Sequence, residues 1–324
     1  MAWQCNRPMA VRAVPAPTRS DLDAAWAVVA ERLEPTPLVS APALGDNVHL
    51  KLETLQPTGS FKVRGGLAAL SRAGGEPVIT ASAGNAGLGI AWAAATLGVH
   101  ATIVVAETAS PAKVAALEAL PVELVKHGAD YDEAEAHALE LAARGAAYVS
   151  SYNDTGVIAG QSTIGRELDA QLPGELTVAC PLGGGSLSSG LGLWAAARAG
   201  ARVVGVEAER SPALSTALAA GEITPVEVGE TLADGLAGNI EPGAVTVELV
   251  RDHVAAVTSV SEHQIEEAIR FLARAHGIVA EGAGAAAVAG VLAGRVSRGP
   301  GALVVVVTGR NIELRRLAAV LGGA

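Results

Sequence analysis

Short runs of β-branched and other apolar residues alternate with alanine-rich segments along most of this chain. The apolar runs are residues 78–79, 101–105, 203–206 and 303–307. They have no alternating polar face, which is typical of parallel strands buried on both sides. The alanine-rich segments are residues 89–97, 112–120 and 132–144. They are expected to be crossover helices, and residues 262–275 predict an amphipathic helix. The alternation predicts an α/β fold with open, mostly parallel sheets flanked by helices.

The composition is that of a globular protein with a large core. Half of the 324 residues are hydrophobic, and a chain of this length is expected to form two lobes. The formal net charge of −10 argues against nucleic acid and anionic membranes as partners. The longest apolar stretch, residues 283–293, is too short to span a bilayer. The two cysteines, Cys5 and Cys180, make no metal-binding spacing, so we expect a reducing, cytoplasmic location.

One lysine stands between a turn and a helical pattern. Pro57 and Gly59 are turn residues, Ser60 is a good N-cap, and an apolar helical pattern follows Lys62. The positive end of a helix dipole opposes a second cation in the first turn. A lysine in that setting, if it is also desolvated, loses its proton near neutral pH and becomes a nucleophile able to form a Schiff base. The other interpretation is an ordinary solvated lysine, and this segment alone does not decide between them.

A glycine loop follows another apolar run. Residues 178–182 predict a strand, Gly183, Gly184 and Gly185 predict a turn, and a helix is expected to start near Ser188. Backbone N–H groups of such a loop approach a ligand closely, and the helix N-terminus adds its dipole, so the segment is a candidate phosphate site. The alternative is an ordinary strand–helix turn. The loop matches neither nucleotide-binding motif, so beside a turn-borne lysine it indicates a phosphorylated carbonyl cofactor.

Eight short segments, in order along the chain, carry a family resemblance. They are RLEPTPL (32–38), QPTGSFKVRGG (56–66), TASAGNAG (80–87), VIAGQ (157–161), VACPLGGGSLSSG (178–190), TLADG (231–235), EGAGA (281–285) and TGRN (308–311). With them the chain resembles the fold-type II, pyridoxal 5′-phosphate (PLP)-dependent serine/threonine dehydratase (ammonia-lyase) family. The resemblance implies a tryptophan synthase β-like fold. Its large PLP-binding domain would comprise residues 1–66 and 153–324, and its small inserted domain residues 67–152.

The resemblance also implies a role for each matching residue. Lys62 is expected to hold PLP as a Schiff base and then to move the substrate Cα proton, with Phe61 packed near the cofactor. Asn85 is expected to hydrogen-bond the 3′-oxygen of the ring. The residues expected to bind the phosphate are Gly183, Gly184, Gly185, Ser186 and Leu187. The residues expected to bind substrate are Ser82, Ala83, Asn85 and Ala86 at the carboxylate and Tyr152 at the side chain.

Thr308 matches the family residue that faces the pyridine nitrogen. A carboxylate there would keep the nitrogen protonated and make the ring a strong electron sink. A neutral hydroxyl leaves the nitrogen unprotonated, so a long-lived carbanion is disfavoured and prompt loss of the β-hydroxyl is favoured. Without the other segments, Thr308 would be interpreted as a strand-end threonine packed by its methyl group.

These roles predict a PLP-dependent lyase that converts an L-β-hydroxy amino acid, such as threonine or serine, to a 2-oxo acid and ammonia. One alternative is a β-replacement enzyme, although Val63 stands where those relatives usually carry aspartate. A second is an amino-acid racemase, although Ala83 stands where serine racemases have their second acid/base. A third is a PLP-binding protein without turnover.

The partners expected are a small amino-acid substrate and, by resemblance, a second copy in a homodimer. Several relatives bind a cation beside the phosphate loop with a glutamate, which Glu207 matches, and a further acidic residue, where this chain has Ala213. Divalent cations prefer several oxygen ligands, so we expect no essential divalent metal site. The sequence does not identify which β-hydroxy amino acid is the substrate.

Overall fold

The computed structural model describes residues 12–323 of the chain, and these form two sheets surrounded by helices. The strands are β1 (Leu38–Ser40), β2 (Val48–Leu52), β3 (Val78–Ala81), β4 (Ala101–Val105), β5 (Glu123–Lys126), β6 (Ala147–Tyr148), β7 (Leu176–Pro181), β8 (Ala201–Ala208), β9 (Ala256–Val260) and β10 (Ala302–Val307). The helices are α1 (Arg19–Arg32), α2 (Lys62–Arg72), α3 (Asn85–Leu97), α4 (Pro111–Glu118), α5 (Tyr131–Ala142), α6 (Thr155–Gln171), α7 (Ser186–Ala196), α8 (Ala213–Ala220), α9 (Val245–His253), α10 (Glu262–His276), α11 (Gly282–Leu292) and α12 (Leu314–Gly322). Cys5 lies outside the described residues.

The larger sheet has six strands in the order β1-β2-β10-β7-β8-β9. All neighbouring pairs are parallel except β1 with β2. Side chains alternate between the two faces of a strand, and β10 shows the result. Leu303, Val305 and Val307 pack in a core with α10 and α11, whereas Val304 and Val306 pack on the other face with α6 and α7. A strand covered on both faces explains the unbroken apolar run.

The smaller sheet has four parallel strands in the order β5-β4-β3-β6. Ile103 of β4 packs in a core shared with α2 and α3, whereas Val104 faces a core shared with α5. All four strands lie within residues 67–152, the segment predicted as an inserted domain. Helix α2 runs across the predicted boundary at residue 66, and the domain limits stay a prediction.

The predicted fold class is confirmed, and one local prediction is wrong. Helix α7 begins at Ser186, two residues before the predicted Ser188, and its N-cap residue Gly185 takes a positive φ of 90°. Helix α2 has Phe61, not Ser60, as its N-cap residue. Ser60 is instead paired with Gly309 in an isolated antiparallel bridge. Within residues 12–323, no helix is long and apolar enough to cross a bilayer.

Candidate active site

The lysine segment lies against the carboxyl end of β10. The N–H of Phe61 donates to the carbonyl oxygen of Thr308 at 3.0 Å, next to the bridge between Ser60 and Gly309. Thr308 follows β10 directly and is 3% exposed. Ligands of parallel sheets bind at the carboxyl ends of strands. The structure therefore brings Phe61, Lys62 and Thr308 together where a ligand is expected.

The amine of Lys62 is desolvated. Its Nζ donates to the carbonyl oxygen of Ser151 at 2.7 Å and lies 5.3 Å from the centre of the Phe61 ring. Desolvation lowers the pKa of Lys62 to about 8, against a smaller opposing effect of the Glu281 carboxylate. The neutral amine, which is the state that acts as nucleophile or base, is therefore far more populated near physiological pH than in an ordinary lysine.

The chain has four lysines, and three of them are engaged in ion pairs. These pairs are Lys51 with Glu167, Lys113 with Asp234 at 2.9 Å, and Lys126 with Glu118 at 3.5 Å. Lys62 has no ion pair within the described residues. The distribution of partners thus singles out the same lysine as the sequence motif.

The glycine loop joins β7 to α7 and has no room for side chains. A Cβ added to Gly183 would lie 2.9 Å from the Cα of Leu236, and one added to Gly184 would overlap the ring of Tyr152. In Gly185, besides the positive φ, an added Cβ would lie 2.9 Å from a methyl group of Leu214. First-turn N–H groups of a helix lack intrahelical acceptors. Ser186 and Leu187 begin α7, so their N–H groups and the close-lying loop backbone fit an anion such as a phosphate.

Tyr152 links the glycine loop to the lysine. Its ring packs against Gly184, its hydroxyl accepts the N–H of Glu241 at 2.8 Å, and its neighbour Ser151 accepts the hydrogen bond from Lys62. Tyr152 is therefore close to both predicted cofactor-binding elements, as a residue of the substrate pocket has to be.

The predicted carboxylate-binding turn lies at the start of α3. The N–H of Gly84 donates to the hydroxyl of Ser82 at 3.2 Å, and Gly84 is the N-cap residue before Asn85. Ala83 precedes this cap, and Ala86 is buried in the first turn. Helix α3 packs closely on α2, because a Cβ on Gly89 would lie 2.8 Å from the backbone of Lys62. This packing keeps the turn beside the start of α2.

Sequence reasoning missed two residues that contact Asn85. The Asn85 amide donates from Nδ2 to Oε1 of Glu281 at 2.7 Å, and its Oδ1 accepts from Nδ2 of Asn311 at 2.6 Å. Burial, followed by the charge of Asp234, raises the pKa of Glu281 to about 7. Both residues lie in segments that carry the family resemblance, EGAGA and TGRN, but neither Glu281 nor Asn311 was given a role. A buried carboxyl before an otherwise small and apolar helix was the available signal.

A buried ion network lies beneath α2. Arg64 makes a two-pronged contact with Glu53, with Nε and Nη2 each 2.8 Å from a carboxylate oxygen, and its Nη1 lies 2.6 Å from Glu167. Lys51 pairs with the other oxygen of Glu167. The four side chains are at most 2% exposed. Two cations are balanced by two anions, so the network anchors the helix that carries Lys62.

Glu207 already has protein partners. Its carboxylate accepts the N–H groups of Leu214 at 3.0 Å and of Ser215 at 3.2 Å, at the start of α8, and burial raises its pKa. Ala213 supplies no ligand. No cluster of three or more side chains suited to a metal ion occurs in residues 12–323.

The chain is similar to known proteins over most of its length. The model of a family described as pyridoxal-phosphate dependent enzyme matches residues 29–309. An L-threonine ammonia-lyase of Thermotoga maritima is 38% identical over 285 residues, which is 86% of this chain and 71% of that protein. The solved T.th. threonine deaminase has a TM-score of 0.83 and 34% identity, and the match covers 92% of this chain and 99% of that one. The solved serine racemase of maize has a TM-score of 0.86 and 26% identity, with 95% and 98% covered.

Proposed function

We propose that this chain, which belongs to the family of pyridoxal-phosphate-dependent enzymes, is an ammonia-lyase that converts L-threonine or L-serine to a 2-oxo acid and ammonia. The observation that carries the proposal is the desolvated amine of Lys62, which has a pKa of about 8 and contacts Ser151, the residue beside Tyr152. Relatives named for threonine ammonia-lyase and threonine deaminase activity support the choice of reaction.

The residues of the site fit PLP. The backbone N–H groups of residues 183–187 would hold the phosphate, and Lys62 would bind the carbonyl carbon. Asn85 would donate to the ring oxygen, and the neutral Thr308 would face the ring nitrogen. When bound, the cofactor withdraws electrons from the substrate Cα.

Lys62 is proposed to take the Cα proton of the substrate. Its neutral amine is a competent base, and the carbonyl oxygen of Ser151 orients it by accepting one N–H. The N–H groups of the 82–86 turn, at the N-terminus of α3, would bind the substrate carboxylate. Thr308 carries no charge, so it would not hold a proton on the ring nitrogen of a bound cofactor, and this would favour departure of the β-hydroxyl.

Two of the alternatives are less well supported by the residues present. A racemase needs an acid/base on each face of Cα, but Ala83 has no exchangeable proton and the hydroxyl of Ser82 accepts the N–H of Gly84. A β-replacement enzyme would be expected to carry aspartate after the lysine, where Val63 is fully buried in the core. A PLP-binding protein without catalytic activity would use the same cofactor-binding residues as the lyase but would release no 2-oxo acid.

We expect the holoenzyme to release 2-oxo acid and ammonia from L-threonine or L-serine. Racemisation of the remaining substrate should be slower by at least about 10²-fold, the contribution of one acid/base group. A coupled assay for 2-oxo acid and chiral chromatography of the residual substrate measure the two rates. The matched variant Ala83→Ser introduces the hydroxyl that serine racemases have at this position and should raise the rate of racemisation.

D-serine that accumulates as fast as pyruvate in the unmodified enzyme would contradict the proposal. If no hydroxy amino acid gave a 2-oxo acid, a PLP-binding protein without catalytic activity would be favoured.

Removal of divalent metal should leave turnover unchanged, because Glu207 is engaged in capping α8 and has no second acidic ligand at position 213. Dialysis against EDTA followed by the 2-oxo acid assay, with and without added Mg²⁺, tests this. Activity lost in EDTA and restored by Mg²⁺ alone would show an essential divalent site.

We propose further that the protein is a cytoplasmic homodimer. The resemblance supports the dimer, and the small number of cysteines, of which Cys180 is buried and free, supports a reducing compartment. Light scattering during size-exclusion chromatography would measure the mass, and cell fractionation would measure the location.

A further inference from the structure

The orientation of the Asn85 amide is determined by a chain of hydrogen bonds. Asn311 donates from Nδ2 to the carbonyl oxygen of Thr58 at 2.8 Å. A carbonyl only accepts, so this contact fixes which end of the Asn311 amide is the donor. The same nitrogen donates to Oδ1 of Asn85, whose own Nδ2 then donates to Glu281. The amide of Asn85 therefore has one N–H left for another acceptor.

Glu281 is the last acceptor in this series of hydrogen bonds, and its backbone is attached next to the larger sheet. Its N–H donates to the carbonyl oxygen of Gly309 at 3.0 Å, and a Cβ on Gly309 would overlap its carboxylate. The side chain is 6% exposed. Asn85 starts a helix that packs with the smaller sheet, whereas Glu281 and Asn311 flank β10 and α11. The contact thus also joins the two halves of the site.

The charged groups around Glu281 come from three separate elements. Lys62 lies at the start of α2, Lys113 lies on α4, and Asp234 lies in the 3₁₀ turn Asp234–Leu236. Lys113 and Asp234 form an ion pair at 2.9 Å whose side chains are 40% and 50% exposed. This pair lies far enough into solvent to be changed without disturbing the core.

We propose that Glu281 and Asn311 are positioning residues, which orient the Asn85 amide so that its second N–H donates to the cofactor. The exposed pair Lys113–Asp234 adjusts the strength of the hydrogen bond from Asn85 to Glu281 through the charge of Glu281. The proposal rests on the cofactor of the family and not on the lyase reaction. Neither residue needs to touch the substrate.

The sign of the pH effect follows from the charge of Glu281. An ionised carboxylate accepts a hydrogen bond more strongly than a protonated carboxyl group does. The hydrogen bond from Asn85 to Glu281 therefore strengthens as pH rises through the Glu281 pKa of about 7. Asp234 raises this pKa and Lys113 lowers it. Removal of Asp234 should move the transition to lower pH, and removal of Lys113 should move it to higher pH.

The experiment measures PLP affinity of the full chain between pH 6 and 9 by fluorescence quenching, together with the visible absorbance of the bound cofactor. In the unmodified protein, PLP affinity should rise as pH increases through about 7. In Glu281→Gln this rise should be absent, and PLP should bind about 10-fold more weakly at pH 8, which is the effect of one charged hydrogen bond. Asp234→Asn and Lys113→Met should shift the rise by about 0.2–0.7 pH units in opposite directions, as expected for exposed charges. Lys126→Met removes another exposed lysine, which is paired with Glu118, and should leave the pH dependence of PLP affinity unchanged.

Two outcomes would overturn the proposal. One is a change of PLP affinity that stays at the same pH near 7 in a folded Glu281→Gln protein, and the other is a shift of the same sign in Asp234→Asn and Lys113→Met. The two surface variants keep the test decisive even if Glu281→Gln does not fold. Because PLP binding is measured without turnover, a protein that binds PLP but releases no 2-oxo acid would refute the lyase and leave this inference standing.

Discussion

Replacement of Lys62 by alanine should abolish covalent attachment of PLP and nearly all release of 2-oxo acid. The same amine is proposed to bind the cofactor and to move the Cα proton, and a positioned acid/base alone contributes about 10²–10⁴-fold. Borohydride reduction followed by peptide mapping should place the pyridoxyl group on Lys62 in the unmodified protein and on no lysine in Lys62→Ala.

The other lysines provide the control. Lys126→Ala removes an exposed side chain paired with Glu118 and should keep both covalent PLP and turnover. Lys51 is held by Glu167 in the buried network and should not be labelled. A pyridoxyl group mapped to Lys51, Lys113 or Lys126 in the unmodified protein would refute the assignment of Lys62.

Replacement of Arg64 by leucine should destabilise the protein by about 3–5 kcal/mol, the cost of leaving buried partner charges uncompensated. Glu53 would lose both of its guanidinium contacts, and Glu167 would keep Lys51 as its one cation together with the N–H of Thr36. The shift of the urea unfolding midpoint measures this loss. Arg64→Lys keeps the charge but not the two-pronged geometry, so its unfolding midpoint should lie between those of the unmodified protein and Arg64→Leu.

A matched arginine lies on the same helix. Arg72 pairs with Asp21 at 2.7 Å, but its side chain is 52% exposed, so Arg72→Met should cost no more than about 1 kcal/mol. If Arg64→Leu and Arg72→Met shifted the midpoint equally, burial of the network would not be what stabilises α2.

The parts of the molecule that were predictable from sequence are those set by local pattern. The run at residues 101–105 has the limits of β4, and the 262–275 pattern ends within one residue of α10. Glycine spacing indicated the loop at 183–185 because a close backbone approach leaves a local signature. The motif around Lys62 likewise placed the lysine in the first turn of α2.

The remainder depends on contacts between distant segments. Ser60 looked like a helix cap, but its backbone pairs with Gly309, about 250 positions away. Glu281 and Asn311 lie in recognisable motifs, yet their contacts with Asn85 follow from how α3, α11 and the end of β10 meet. The burial of Arg64 could not be predicted from the sequence either, because a charged residue in a helix is usually exposed.

The position of β10 has a consequence for how the protein is made. This strand lies between β2 and β7 in the larger sheet, yet it is the last of the ten described strands to leave the ribosome. Until it arrives, β2 and β7 have no shared neighbour, and Phe61 lacks its backbone partner at Thr308. Pairing over such a sequence separation is slow and exposes apolar edges in the meantime. A nascent chain stalled before residue 302 would therefore display an open sheet edge and an incomplete site, and such exposed apolar edges are prone to aggregation.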